Sequence, residues 1–403
     1  MEALLVRIAL FPDEYLPEGT RVHAKMFNEL AVELQSQGHD VVVITPGKSN
    51  QERDLVIDYV NNVEVWRFRS GTLRGVGMVK RAINESLLSF RAWVAIRKKV
   101  QENPFELCIN YSPTIFFGPL MHWMRKTHNS RIYLILRDMF PQWAIDEGII
   151  RKGSIVARYF QCFERLNYKA SHKIGLMSDA NVTYFSSIHP QFKNLEVLRN
   201  WSNMKCHGMP CSLIDIRKQT ATEDKVLFFY GGNIGHAQDM TNLLRLVRNM
   251  KDVPSAHFLF VGQGDEFDLV LEKKEEWRLD NLSVMGAVSQ EVYADILTQV
   301  DVGLFSLARS HKAHNFPGKL LGYKANRLPI LGSLNPDNDL SIYINDNQCG
   351  FAYINGEDEL LTEAARKLTE DANLREQLGE NGRKTLEQYF SVRSAIKLLL
   401  MNK

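Results

Sequence analysis

The chain has 403 residues, of which 45% are hydrophobic and 24% charged, and its formal net charge is +2. That length exceeds one ordinary core and calls for two or three domains of a globular protein, and no run of about 18 uncharged apolar residues is available to cross a bilayer. Five scattered cysteines, Cys108, Cys162, Cys206, Cys211 and Cys349, form no CxxC pair, which argues for a reducing compartment and against structural zinc.

The charge is unevenly placed. Up to Lys205 there are 27 Lys and Arg against 20 Asp and Glu, and beyond it 22 against 27. A basic front half suggests an anionic partner there. The opening run LLVRIALF (4–11) reads as a buried strand. Arg7 interrupts it, so it lacks the layout of a secretory leader. The loop Pro12–Arg21 follows, and Asp13, Glu14, Gly19 and Arg21 are its acceptor-contact candidates, against the plainer reading of a solvated loop. A helix from about Arg21 to Gln37 places Val22, Met26, Leu30 and Leu34 on one face and stops at Gly38. DVVVITP (40–46) is a second buried strand. Further strands are expected at 63–69, 107–110, 131–136, 173–177 and 195–198, with helices between several of them. Such apolar runs imply a parallel sheet covered on both faces.

Residues 74–99 carry seven basic side chains, Arg74, Lys80, Arg81, Arg91, Arg97, Lys98 and Lys99, and one acid, Glu85. Val79, Ile83, Leu87, Phe90 and Val94 recur at helical spacing. The stripe reads first as one that packs on its own sheet, while the basic excess suits an anionic membrane surface. Arg137 and Asp138 close the strand at 131–136. Two ionisable groups at the carboxyl end of a buried strand either pair with each other or serve a ligand.

After Trp201 a polar, aperiodic stretch reads as a linker, and the pattern then restarts. Strands are expected at 226–230, 257–261, 282–285, 302–305, 329–331 and 349–353. The first of them breaks into GGNIG, where glycine lets the main chain approach a phosphate. A helix beginning near Asp239 would add its partial positive charge. FVGQGDE, containing Gly262, is another strand-to-loop transition. In NFPGK a lysine, Lys319, opens a helix against its dipole, which is unfavourable without an anion nearby. His311 and His314 lack a third ligand at suitable spacing, so no metal is expected. The end of the chain, 374–403, reads as one or two amphipathic helices. The architecture is therefore α/β, two doubly wound Rossmann-like domains with ligands at the carboxyl ends of strands and a cleft between them. The first domain is placed at 1–201 and the second at 202–384, with about 385–403 available to pack back on the first.

The stretches YGGNIGHAQDM, FVGQGDE, MGAVSQEVYADILTQVDVGLFSL and NFPGKLLGYKANRLPIL resemble the retaining, nucleotide-sugar-dependent glycosyltransferases of the GT-B fold, family 4. With YLPEGTRVHAKMFNELAVELQSQGHDVVVITPG and LILRDMFPQWAIDEG, the chain looks like the bacterial O-antigen L-fucosamine (N-acetyl-L-fucosamine) transferases. The resemblance implies a UDP-sugar held by the second domain and an undecaprenyl-diphosphate-linked sugar acceptor held by the first. It also implies transfer without a metal or other cofactor, at the inner face of the cytoplasmic membrane.

In that picture Arg137, Asp138 and Lys319 are the catalytic candidates. Gly231, Gly232, Asn233, Gly235, Gln238, Gly262, Arg309, Lys312, His314, Gly318, Lys319 and Tyr323 are the donor-binding ones. Three positions depart from the family pattern. Asn233 and Gln238 stand where relatives carry an Arg and a Lys that grip the diphosphate. His314 and Gly322 replace a glutamate pair, leaving ribose recognition to a neighbour such as Tyr323. Arg137 stands where a histidine is usual, and it cannot act as a base at ordinary pH. A nucleotide-sugar 2-epimerase and a non-catalytic nucleotide-sugar-binding assembly partner are the competing readings.

Overall fold

The computed structural model describes residues 5–19, 22–73, 76–146, 148–201, 213–310, 317–336 and 338–401. The chain divides into two compact units, one of residues 1–202 with 392–403 and the other of residues 203–391.

The first unit begins with β1 (Arg7–Phe11), α1 (Val22–Ser36), β2 (Asp40–Gly47), β3 (Leu55–Val60) and β4 (Val63–Arg69). It continues through α2 (Met78–Ser86), α3 (Leu88–Glu102), β5 (Leu107–Ser112), α4 (Gly118–His128) and β6 (Arg131–Leu136). Then come α5 (Gln142–Asp146), α6 (Ile155–Ala170), β7 (Lys173–Leu176), α7 (Asp179–Ile188) and β8 (Leu195–Val197). The strands form one eight-stranded sheet in the order β3-β4-β2-β1-β5-β6-β7-β8. Its central strand β5, LCINYS, is buried from end to end and β1 in all but its first residue, because helices cover both faces.

One edge departs from the expected all-parallel sheet. β3 pairs antiparallel with β4. The two-residue turn between them holds Asn61 and Asn62 at φ 51° and 66°. Asparagine tolerates that left-handed conformation, and a turn with both central residues left-handed matches the twist of a hairpin.

α1 buries Met26, Phe27, Leu30, Ala31 and Leu34 against β1 and β2. The same cluster contains Trp201, whose indole N–H donates to Met26 O at 2.9 Å.

The second unit contains α8 (Ile216–Thr220), β9 (Val226–Asn233), α9 (Met240–Asn249), β10 (Ala256–Gln263), α10 (Phe267–Glu276), β11 (Leu282–Met285) and α11 (Gln290–Leu297). It ends with β12 (Val302–Ser306), α12 (Lys319–Ala325), β13 (Ile330–Leu334), α13 (Leu340–Asp346), β14 (Gly350–Ile354), α14 (Asp358–Glu370) and α15 (Ala372–Tyr389). Its six strands are ordered β11-β10-β9-β12-β13-β14, and every pairing is parallel. The order reverses beside β9, and ligands of open α/β sheets bind at the carboxyl end of such a switch point.

α16 (Val392–Met401) returns the chain to the first unit. Val392, Ala395, Ile396 and Leu399 enter the cluster around α1 and β2, and Arg393 Nε meets Glu33 Oε1 at 2.8 Å. That exposed ion pair contributes little beside the apolar burial. Leu399→Ala should therefore destabilise the first unit by about 2–5 kcal/mol, read as a lower urea midpoint by far-UV circular dichroism. An unchanged midpoint would detach α16 from that core.

Candidate functional site

The glycine stretch lies at the carboxyl end of β9, one of the two central strands of the second sheet. Gly232 has φ +123°, which side chains rarely adopt, and it is exposed. Gly262 sits opposite it in the β9–β10 register, and a Cβ on Gly262 would stand 1.8 Å from Gly232 O. Gly262 is thus buried behind the turn to permit a close approach of backbones, which corrects its assignment as a donor contact. Tyr230 closes the turn by donating its hydroxyl to Asn233 O. Asn233 Nδ2 donates to Gln238 Oε1 at 2.6 Å. Asn233 is exposed and Gln238 half-buried.

Lys319, the first residue of α12, crosses to this turn. A Cβ on Gly232 would be 3.6 Å from both its Cε and its Nζ. The ammonium lies 3.4 Å from the centroid of the Tyr230 ring. Burial pushes its pKa down to about 7, and no carboxylate among the described residues pairs with it. A π face offsets only part of the desolvation of a cation. The site therefore combines an amine that has lost part of its solvation, an exposed glycine turn and a neutral amide, with no counter-anion among the described residues.

The start of α9 contributes less than expected. A 3-10 turn, His236–Gln238, intervenes, and the Met240 N–H is already taken by Glu266 Oε2 at 3.0 Å. A carboxylate there occupies one of the donors that a phosphate would use.

Tyr323 is fully buried beneath β9. Its hydroxyl donates to Leu304 O at 3.0 Å and lies 3.4 Å from Gly231 N. It holds the strand from behind and cannot meet a ribose, which corrects the sequence-based assignment. Gly318 caps α12 in open space, and Gly235 packs where a Cβ would meet Asp265 Oδ1 at 2.5 Å. Arg309, exposed after β12, has its Nη1 beside Gly356, after β14 on the far edge of the sheet from β10. Lys312 and His314 lie outside the described residues, as does His311.

In the first unit the adjacent strands β1, β5 and β6 bring a second set of groups to their carboxyl ends. Asp13 and Glu14 follow β1, and both face His23 in the first turn of α1. His23 Nε2 is 2.8 Å from Asp13 Oδ1 and 3.7 Å from Glu14 Oε1, and its ring lies 5.1 Å from that of Tyr111. Sequence reasoning missed His23. The available signal was its place directly after an acidic loop, at the start of a helix. Arg67, whose guanidinium meets Leu16 O, Glu18 and Asp58, fixes that loop from β4. Gly19 is buried, donates its N–H to Tyr15 O at 2.9 Å and packs on Ala24. It shapes the loop rather than contacting an acceptor, a third correction. Arg21 lies outside the described residues.

Arg137 and Asp138 part company at the end of β6. Asp138 is exposed, whereas Arg137 turns inward, where burial lowers its pKa to about 10 although Tyr111, Tyr133 and Asp138 counter the shift. It remains a cation at neutral pH. Its Nη2 reaches Arg199 O at 3.4 Å, while Nε and Nη1 are buried without a hydrogen-bond partner among the described residues. An unsatisfied buried guanidinium is costly and has spare capacity for an oxygen ligand. Among the described residues no three His, Cys, Asp or Glu side chains gather as a metal site.

Two Rossmann-like units of this topology make the GT-B fold. Residues 23–201 match the glycosyl transferase 4-like domain and residues 213–385 match the model of glycosyl transferases group 1, so the chain is a glycosyltransferase. It is 23% identical over 328 residues to WcaI of Escherichia coli (strain K12), named as a colanic acid biosynthesis glycosyl transferase, covering 78% of this chain and 80% of that protein. Several solved structures share the fold. WaaG, a glycosyltransferase involved in lipopolysaccharide biosynthesis, gives a TM-score of 0.63 at 16% identity, over 98% of this chain and 99% of that one. Anabaena HepE in complex with UDP-glucose gives 0.63 at 11% identity, over 98% and 99%.

If Tyr323 supports β9, Tyr323→Phe should cost about 1–3 kcal/mol of stability by leaving a buried N–H unpaired, measured by thermal or urea unfolding. A ribose contact would instead weaken donor affinity and leave unfolding unchanged.

Proposed function

We propose that this glycosyltransferase is a retaining enzyme that moves a HexNAc-type sugar, N-acetyl-L-fucosamine, from UDP to a lipid-diphosphate-linked sugar in O-antigen or capsule synthesis. The observation that carries the reading is the half-buried Lys319 amine, set over the Tyr230 ring and against the exposed Gly232 turn. A nucleoside diphosphate would supply the missing anion. UDP-glucose bound in HepE supports a UDP-sugar. The colanic acid and lipopolysaccharide roles in the names of WcaI and WaaG support a polysaccharide acceptor. N-acetyl-L-fucosamine and the lipid carrier rest on the resemblance of the quoted stretches.

Lys319, Asn233, Gln238 and the main chain of Gly231, Gly232 and Gly235 would hold the diphosphate, with Arg309 and the neighbouring Lys312, His314 and Gly318 around it. As the bond from the sugar C1 to the β-phosphate oxygen breaks, charge grows on the departing UDP. Lys319 stabilises it where it develops. The acceptor oxygen bonds to C1 on the same face, and its proton passes to the leaving phosphate oxygen. The residues needed for this step are cations and donors, so it runs without a metal. Asp138, Asp13 and Glu14 would orient acceptor hydroxyls as hydrogen-bond acceptors, with His23 holding the last two and Arg137 beneath. The protein would work peripherally at the inner face of the cytoplasmic membrane, its basic segment 74–99 towards anionic lipid. No helix of the described residues is long and apolar enough to cross it.

A panel of UDP-HexNAc donors, incubated with diphosphate-lipid-linked GlcNAc and read by mass, tests the reaction. Transfer with release of UDP is expected, and epimer formation or UDP release without acceptor would contradict it. Lys319→Ala should lower turnover at least about 100-fold and weaken UDP binding with the fold intact. Unchanged kinetics would remove Lys319 from the site.

A further inference from the structure

The apolar stripe of the basic segment is not the one that packs. α3 buries Leu88, Ala92, Ile96 and Val100 against the sheet. Ile83, Leu87, Phe90 and Val94 are exposed instead, Phe90 by 60% and Ile83 by 56%. Their row continues to an exposed lysine at each end, Lys80 and Lys98. Four large apolar side chains in one line on a helix surface mark an interaction site more often than chance exposure.

A second exposed apolar group lies beside them. Ile149, Ile155, Val156 and Tyr159 precede or open α6, and Ile155 is 87% exposed. Tyr159 Oη donates to Ser86 Oγ at the end of α2 at 2.5 Å, which joins the two groups into one face. Arg151, Lys152 and Arg158 are exposed among these residues, and no acid occurs from Ile149 to Tyr159. Across 78–99 the one acid, Glu85, is paired with Arg81 at 2.8 Å.

From this we infer that Ile149–Tyr159 and the α2–α3 stripe form a single two-armed docking face for an anionic lipid bilayer. The apolar side chains enter the boundary between headgroups and acyl chains, and the cations around them meet lipid phosphates. A basic rim around exposed aliphatic and aromatic groups is the chemistry of an interfacial anchor, and its charge complements anionic lipid. α2 and the first turn of α6 follow the carboxyl ends of β4 and β6, the edge that also carries Asp138. The face therefore brings lipid to the edge where the acceptor candidates lie. This deepens the membrane part of the proposed function and depends on no assumption about donor or acceptor sugar.

The test uses the full chain and sedimentation with vesicles of phosphatidylcholine alone or mixed with phosphatidylglycerol. Wild-type protein should bind the mixed vesicles. The pair Ile155→Ser and Val156→Ser, whose exposure predicts unchanged melting, should weaken that binding at least about tenfold at both low and high salt. Arg151→Gln with Lys152→Gln should weaken it at low salt only, because exposed charges are screened. Absence of wild-type binding, or binding indifferent to the serine pair, would overturn the proposal. So would a serine pair that dissociates a dimer, which would assign the face to a second copy of the chain. UDP-sugar turnover on a soluble acceptor is measured in parallel: vesicle binding without turnover defeats the proposed reaction and spares the docking face.

Discussion

A half-buried lysine amine that exchanges part of its hydration for the face of Tyr230 sets the terms for the second unit. Losing that hydration costs a few kcal/mol, which the lowered pKa of Lys319 expresses, and the π contact returns only part of it. Most proteins neutralise such a group with a carboxylate. Here the described residues supply none: close to the turn, Glu266 is committed to the Met240 N–H and faces His236, and Asp265 lies against Gly235. The amine is thus left for an anion brought from outside.

The backbone around it is built to let that anion come close. Gly262 has no side chain because Gly232 O occupies the space, and Gly232 has none because of its left-handed φ. Tyr230 and Tyr323 pin the turn from within, one through Asn233 O and the other through the buried backbone of β9. These contacts rigidify the turn, so the diphosphate of the proposed donor would meet hydrogen-bond donors already in place, which is what electrostatic preorganisation requires.

Much of the fold was legible in the sequence, since buried parallel strands read as continuous apolar runs and α1 carries a clean 3.6-residue stripe. The hairpin at one edge was not. β3 alternates between exposed and half-buried positions, and its signal was the Asn61–Asn62 turn rather than hydrophobicity. At the sites, sequence located the glycine turn and the lysine at the start of α12 that the structure brings together. It could not distinguish glycines that face a ligand from those that let backbones touch, as Gly19 and Gly262 do. Tyr323 looked like a polar group near the site because a helix of seven residues gives too little periodicity to show which face is buried. His23 went unnoticed for the opposite reason: its partners are ten and nine residues earlier, brought to it by the loop that Arg67 holds. The exposed row on α2 and α3 had the spacing of a core stripe, and only burial tells the two apart.

The central claim is that Lys319 holds the donor diphosphate with an amine whose pKa is lowered to about 7 before binding, so that it is mostly neutral at pH 8, and proton linkage tests it most directly. UDP titrated into the protein at pH 8 by calorimetry, in two buffers of different ionisation enthalpy, reports protons exchanged on binding. Above a free pKa of about 7 the amine is mostly unprotonated, and a bound diphosphate raises that pKa. The account predicts uptake of about half to one proton per UDP, affinity that falls as pH rises, and loss of the uptake in Lys319→Met. Tight UDP binding with no proton uptake, unchanged by that substitution, would contradict it.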